Sequence, residues 1–138
     1  MKVTLQSTHG DLNFKGTNER GQSMQFSGQK EAVSPMESVL MAAAACSSID
    51  VEIFLKKMRQ DVQSITVEVD AERVDAVPSV FSKIHLHYII SGNVKDDKAK
   101  KAVDMSIEQY CSVSLMLQKA VEITHSYEVR ILGWSNEI

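Results

Sequence analysis

The residues of this chain best suited to chemistry are two cysteines, Cys46 and Cys111, its only thiols. Each sits inside an apolar, small-residue segment, MAAAACSSIDV for the first and EQYCSVSLML for the second. The opening stretch MKVTLQSTHGDLNF lacks the apolar core of a signal peptide, so a cytoplasmic location is expected. In that compartment thiols are kept reduced, and a disulfide adds no lasting structural support. Two thiols brought together by folding then point to redox chemistry, with Cys46 attacking and Cys111 completing a disulfide. The plainer reading makes both of them small core hydrophobes, because free cysteine is among the most buried residue types. The residues alone leave both readings open.

Other chemistries find less support. Neither cysteine belongs to a CxxC or CxxxxH cluster, which argues against a structural zinc site. His85 and His87 stand two apart in an alternating segment and share one face, but no third ligand accompanies them, and solvent-facing strand positions are expected. The 15 basic residues are scattered among 18 acidic ones, giving a net charge of −3 with no basic stripe, so no nucleic-acid partner is expected. The longest nearly uncharged run, 32–49, is interrupted by Glu37 and rich in alanine and serine, so no membrane span is expected there. At 138 residues the chain suits one domain.

The elements that must position the thiols are legible in the pattern. Strands are expected at Lys2–Ser7, Leu12–Gly16 and Ser23–Ser27, joined by turns at 9–11 and 18–21. Ser34-Pro35-Met36-Glu37 is a capping box, with Ser34 capping, Pro35 in the first helical position and Glu37 reaching back to the Ser34 amide. The helix it opens is expected to reach about Arg59, roughly 35 Å at 1.5 Å per residue. Between Val39 and Ile49 no residue is charged, so this helix lacks a polar face and should be surrounded by other elements. A chain this small has difficulty enclosing it, an argument for a homodimer that supplies the missing wall. Further strands are expected at Ser64–Arg73 and Phe81–Ile90, the latter with Ile84, Leu86 and Tyr88 inward. A second helix follows over about Val94–Tyr110, capped by Asn93, with a break at Cys111-Ser112, a short helix over Val113–Ala120 and a last strand over Val121–Leu132. The order βββ-α-ββ-αα-β implies an α+β fold with antiparallel sheets.

Three stretches, SPMESVLMAAAACSSIDVEIFLKKMRQDV, FSKIHLHYIISG and KKAVDMSIEQYCSVSLMLQKAVEITHSYEV, together with an FKG…G strand pair near the start, resemble the OsmC/Ohr family of thiol peroxidases, and within it the YhfA-like branch. The resemblance covers nearly the whole chain. It implies an intertwined homodimer in which sheets wrap long central helices, and reduction of organic hydroperoxides at a cysteine pair near the subunit interface. Cys46 matches the family's peroxidatic cysteine and Cys111 its resolving cysteine. It implies an external dithiol reductant such as a lipoylated protein, and no bound cofactor or metal is expected beside it.

The chemistry needs a thiolate. Lowering a thiol pKa from 8.5 to 6.5 raises the ionised fraction at pH 7 about twentyfold and takes nearly ~3 kcal/mol of differential stabilisation. Cys46 lies more than two turns inside its helix, where the dipole offers little, and Asp50, one turn on, is the wrong sign. Family members use an arginine from the N-terminal strands held by a glutamate at the start of the central helix. Here Met36 occupies the glutamate position with Glu37 one residue away, and Glu19 falls at the arginine position with Arg20 beside it. Arg20 and Glu37 are therefore the candidate activating pair, against plainer roles as a turn residue and a capping residue. Lys30 is a further candidate cation. Met36, Met41, Met116 and Leu117 would give an adaptable apolar lining, or simply fill the core.

Overall fold

The computed structural model describes residues 1–7 and 9–131. Three strands, a long helix, two strands, a helical segment in three pieces and a last strand follow in the expected order. The chain divides into two compact units, with the division inside the long helix after Met41.

In the first unit β1 (Val3–Ser7), β2 (Asn13–Asn18) and β3 (Ser23–Ser27) form an antiparallel meander. Gly21 closes the β2–β3 turn at φ +82°, and its amide donates to the Asn18 carbonyl at 3.1 Å. One face of this sheet opens into an apolar hollow of about 460 Å³ lined by Leu5, Met24 and Phe26 among others.

Helix α1 (Pro35–Lys57) begins with the capping box as the sequence requires. The Ser34 amide donates to Glu37 Oε1 at 2.9 Å and the Glu37 amide to Ser34 Oγ at 3.1 Å. It stops in a Schellman turn: Arg59 adopts φ +59°, its amide donates to the Lys56 carbonyl, and the Gln60 amide donates to the Leu55 carbonyl.

The second unit holds β4 (Asp61–Arg73), β5 (Phe81–Asn93) and β6 (Glu122–Arg130). β4 pairs antiparallel with β5, but β5 and β6 run parallel, so this sheet is mixed where antiparallel pairing was expected. The reason is the connection: α2 (Asp96–Met105), a single π-helical turn (Ser106–Tyr110) and α3 (Ser112–Leu117) form the crossover that parallel neighbours require. α2 lies over β6, where His125 Nε2 meets Asp104 Oδ1 at 2.8 Å and Tyr127 donates to Asp96 Oδ2 at 2.8 Å. Of the expected last strand Val121–Leu132, Leu132 lies outside the described residues.

Asn93 does not cap α2. It is the last residue of β5, paired with Asp61, and Lys95 takes the cap position without a side-chain bond. Sheet pairing extends the strand past the turn because Gly92, at φ +141°, lets the backbone pass against β4. A Cβ there would lie 2.2 Å from the Asp61 carbonyl oxygen. The exposed start of α2 is served instead by Gln60, whose Oε1 accepts from the Lys95 amide at 2.9 Å.

Only one row of α1 is fully buried, Ala43, Ser47, Val51 and Leu55, spaced one turn apart. In the single chain Ala42, Ala45, Ile49 and Ile53 remain exposed, so the all-round enclosure expected from composition is not supplied by these elements. By length and composition α1 is also apolar enough to cross a bilayer. Core helices pass the same test, and the buried row places this one in a folded core. Ile84, Leu86, Tyr88 and Ile90 of β5 complete that core with Ala99, Ala102 and Val103 of α2.

Candidate active site

Cys46 sits in the middle of α1, one position before the buried row, and is half-buried; Cys111 is wholly buried. The backbone brings Cys111 there through the π-helical turn, in which its amide reaches back five residues to the Ser106 carbonyl at 2.6 Å. The chain then leaves helical geometry for one residue, Cys111 at φ −72° and ψ 105°, and α3 begins. Cys111 is thus the cap of α3. Its Sγ accepts from the Ser114 amide at 3.4 Å, and it lies 4.0 Å from the Ala43 carbonyl oxygen of α1.

The structure brings the two thiols together. Cys46 lies near enough to Cys111 to act on its ionisation. Burial pushes the Cys111 thiol up, the Ser114 hydroxyl and amide act to bring it down, and Cys46 beside it pushes it up again, leaving it above the ordinary thiol value. Both cysteines carry free thiols.

Behind them runs a buried polar network that the sequence reading did not find. Ser47 Oγ donates to the Ala43 carbonyl at 2.8 Å and meets the Tyr88 hydroxyl at 2.5 Å. With the serine proton committed to the helix backbone, Tyr88 is the donor in that contact. Ser106 Oγ lies 3.0 Å from the Ser47 carbonyl and 3.3 Å from Asp50 Oδ2. Burial, set against the bond to Ser47 and aided by Cys111, Asp50 and Cys46, pushes Tyr88 up to about 12. Tyr88, Ser47 and Ser106 are without solvent exposure. One signal was available: Ser47 is the polar member of a buried row otherwise made of Ala43, Val51 and Leu55.

The candidate activating pair sits in the first unit. Arg20 is exposed in the β2–β3 turn, where its Nε donates to Gln22 Oε1 at 3.2 Å and its amide to Asn18 Oδ1 at 3.1 Å. Glu37 is held by the capping box, whose Ser34 amide and hydroxyl keep its carboxyl below the usual range. Among the described residues no ion pair joins Arg20 to Glu37. Lys30 lies exposed in a left-handed turn position at φ +66°. Met41 and Met116 are exposed by 52% and 66%, so neither is core filling in the single chain. Asp50 approaches the network through Ser106, whereas His125 belongs to the α2–β6 contact. Among the described residues no cluster of three or more ligating side chains could hold a metal ion.

A family model described as OsmC-like protein matches residues 28–126. Protein YhfA of Escherichia coli strain K12 is 50% identical over 121 residues, covering 86% of this chain and 90% of that protein. Among solved structures, a hypothetical protein from Aquifex aeolicus superposes with a TM-score of 0.88 at 28% identity, covering 96% of this chain and 97% of that one. An organic hydroperoxide resistance protein, OsmC, from Legionella pneumophila gives 0.70 at 14% identity, covering 93% and 97%.

Proposed function

Because the chain belongs to the OsmC-like protein family, we propose that it reduces organic hydroperoxides through a two-cysteine cycle and serves in oxidative stress defence. The Cys46 thiolate attacks the distal peroxide oxygen. The O–O bond breaks, the alkoxide takes a proton and leaves as alcohol, and Cys46 is oxidised to a sulfenic acid. The Cys111 thiolate then attacks that sulfur, expelling hydroxide, which leaves as water after protonation, and a disulfide remains. An external dithiol, such as a lipoylated protein, returns both sulfurs to thiols and is itself oxidised.

The observation that carries this reading is the asymmetry of two adjacent thiols. Cys46 is open enough to meet an oxidant, while Cys111 has no exposure and has Cys46 as its neighbouring thiol. The exposed row Ala42, Ala45, Ile49 and Ile53 on α1 supports a second copy of the chain as the partner that covers it. The cycle fits the cytoplasm, where dithiol reductants are available. Dithiol-dependent consumption of cumene hydroperoxide tests the whole scheme. Cys46→Ser should fall to the level of the double serine variant, and Cys111→Ser should accumulate a sulfenic acid on Cys46. Wild type no faster than the double serine variant would end this reading.

One observation favours a second reading. Arg20 and Glu37 both have local partners, in their own turn and capping box. A scaffold without an activating cation would serve as a slow oxidant sensor, or as a binding module for a small apolar ligand. In that case the disulfide forms over minutes, turnover is absent and an apolar ligand copurifies.

A further inference from the structure

The chemistry proposed for Cys111 meets a physical obstacle. A sulfur with no exposure must ionise before it can attack, and burial favours the neutral thiol. Something at the site has to offset that burial when the charge forms.

Ser114 is the residue in place. It is 1% exposed, and its Oγ has no hydrogen-bond partner among the described residues. A buried hydroxyl without a partner costs roughly 1–3 kcal/mol and is rare in folded proteins. This one lies three residues after Cys111, on the first turn of α3, where its own amide already donates to Cys111 Sγ at 3.4 Å. The serine side chain is near enough to the same sulfur to favour its ionised form, without completing a hydrogen bond to the resting thiol. A neutral thiol is a weak acceptor, so the contact satisfies the serine poorly until the sulfur becomes an anion.

Resting on the two-cysteine cycle above, we propose that Ser114 is a catalytic residue of the resolving step: its hydroxyl, with its amide, binds the Cys111 thiolate as it forms. The orphaned donor is an unmade bond in the resting protein that is made when Cys111 gives up its proton. When the Cys46–Cys111 bond forms, the sulfur loses its charge and the serine is released. In the reverse direction, a dithiol attacking Cys46 expels Cys111 as a thiolate, and the same two donors receive it.

The titratable neighbours of this sulfur are Cys46 on α1 and Tyr88 on β5, with Asp50 beside Tyr88. Tyr88, at about 12, stays neutral through the range of the test, and Cys46 is a sulfenic acid during the step.

The test is Ser114→Ala. Loss of a thiolate donor moves the midpoint of the pH–rate profile for disulfide formation up by about one to two pH units. A more basic thiolate is a better nucleophile, so the rate at pH 7 falls by only about threefold to tenfold. Above both midpoints the order reverses and the alanine variant becomes the faster. Displacement of Cys111 by a packing defect would slow the step equally at every pH. Ser114→Thr, which keeps the hydroxyl, should restore the wild-type midpoint, and the alanine variant should be at least as stable as wild type because it removes an unpaired polar group.

Two outcomes separate the proposals. If wild type forms no sulfenic acid on Cys46, the peroxidase reading fails. Ser114 is still tested by oxidising the protein with diamide and following reduction by dithiothreitol, which Ser114→Ala should slow through the poorer leaving group. If sulfenic acid forms, and the alanine variant closes and opens the disulfide with the wild-type pH profile, the assignment of Ser114 is wrong and the cycle stands.

Discussion

Strand β5 carries two polar systems on its two faces, built by alternate residues of the same short segment. On the inner face Tyr88 meets Ser47, beside the cysteine pair, and Tyr88, Ser47 and Cys111 are fully buried. On the outer face His85 and His87 run in line with Thr124, Ser126 and Glu128 of β6, with bonds of 2.6–3.0 Å between successive members. The inner groups ionise reluctantly: burial pushes both Tyr88 and Cys111 up. The outer face does the opposite, since the His87 bond, with Arg130 beside it, holds the Glu128 carboxyl below its usual range. The lesson is that hydrogen-bond number does not decide what a polar group can do; the medium around it does. The inner face keeps protons on its acids, which makes each ionisation there costly and therefore controllable by one donor. The outer face tolerates charge and can contribute little to chemistry that needs a shielded thiolate.

The largest contrast should appear on truncation. Tyr88→Ala removes a fully buried aromatic ring and is expected to cost about 3–5 kcal/mol, read as a fall in the urea midpoint at constant slope. His85→Ala, three positions earlier on the half-buried outer face, should cost about 0.5–1 kcal/mol. Comparable losses at the two positions would break the contrast.

Alkali sharpens it. Tyr88 has its pKa raised from 10.0 to about 12, so the folded state holds its proton more tightly than the unfolded chain does. The stabilisation is complete below pH 10 and is lost as pH rises from 10 to about 12, on the order of 2–3 kcal/mol in all. Cys111, also raised, adds a loss that begins near pH 9. Tyr88→Phe should flatten the upper part of this fall and Cys111→Ser the lower part. The outer face acts at the other end. Glu128 is depressed, so its contribution is present above the ordinary carboxylate range and lost as pH falls through its folded value. His87→Ala should move the acid limb of the stability curve to higher pH by less than the alkaline shifts, and leave the alkaline limb unchanged.

How far the sequence spoke for these two faces differs too. The period-2 pattern of 81–90 placed Ile84, Leu86 and Tyr88 inward and the histidines outward, and this is where they lie. The capping box set the start of α1, because Ser34, Pro35 and Glu37 act within one turn. Local chemistry of that kind is legible. The register of β6 beside β5 is not, since it is fixed by a crossover of three helical pieces and cannot be read from either strand. The same holds for the polar network. Ser47, Ser106 and Ser114 look like ordinary helix-compatible residues, and only the fold reveals which hydroxyls are buried together and which one lacks a partner. Asn93 shows the converse failure: a good local cap lost to the longer strand that pairing with Asp61 sustains.

The smallest effect is also the most specific. Glu128 accepts from His87 Nε2 at 3.0 Å, and a carboxylate can only accept, so that nitrogen carries the hydrogen. In a neutral ring His87 Nδ1 is then an acceptor, and Ser126 Oγ, 2.6 Å away, must donate to it. Having spent its proton, Ser126 Oγ accepts from His85 Nε2 at 2.8 Å, which leaves His85 Nδ1 to accept from Thr124 Oγ1 at 2.6 Å. The chain of donors therefore has one direction, from Thr124 toward the carboxylate, and both neutral histidines are Nε2–H tautomers. Long-range nitrogen–proton NMR at pH 8 should show that tautomer for both. Ser126→Ala should leave His87 as it is, anchored by Glu128, while His85, with one partner gone, becomes a mixture. A single Nδ1–H tautomer at His87 would reverse the assigned direction, and the outer face would then lack the carboxylate anchor that distinguishes it from the inner one.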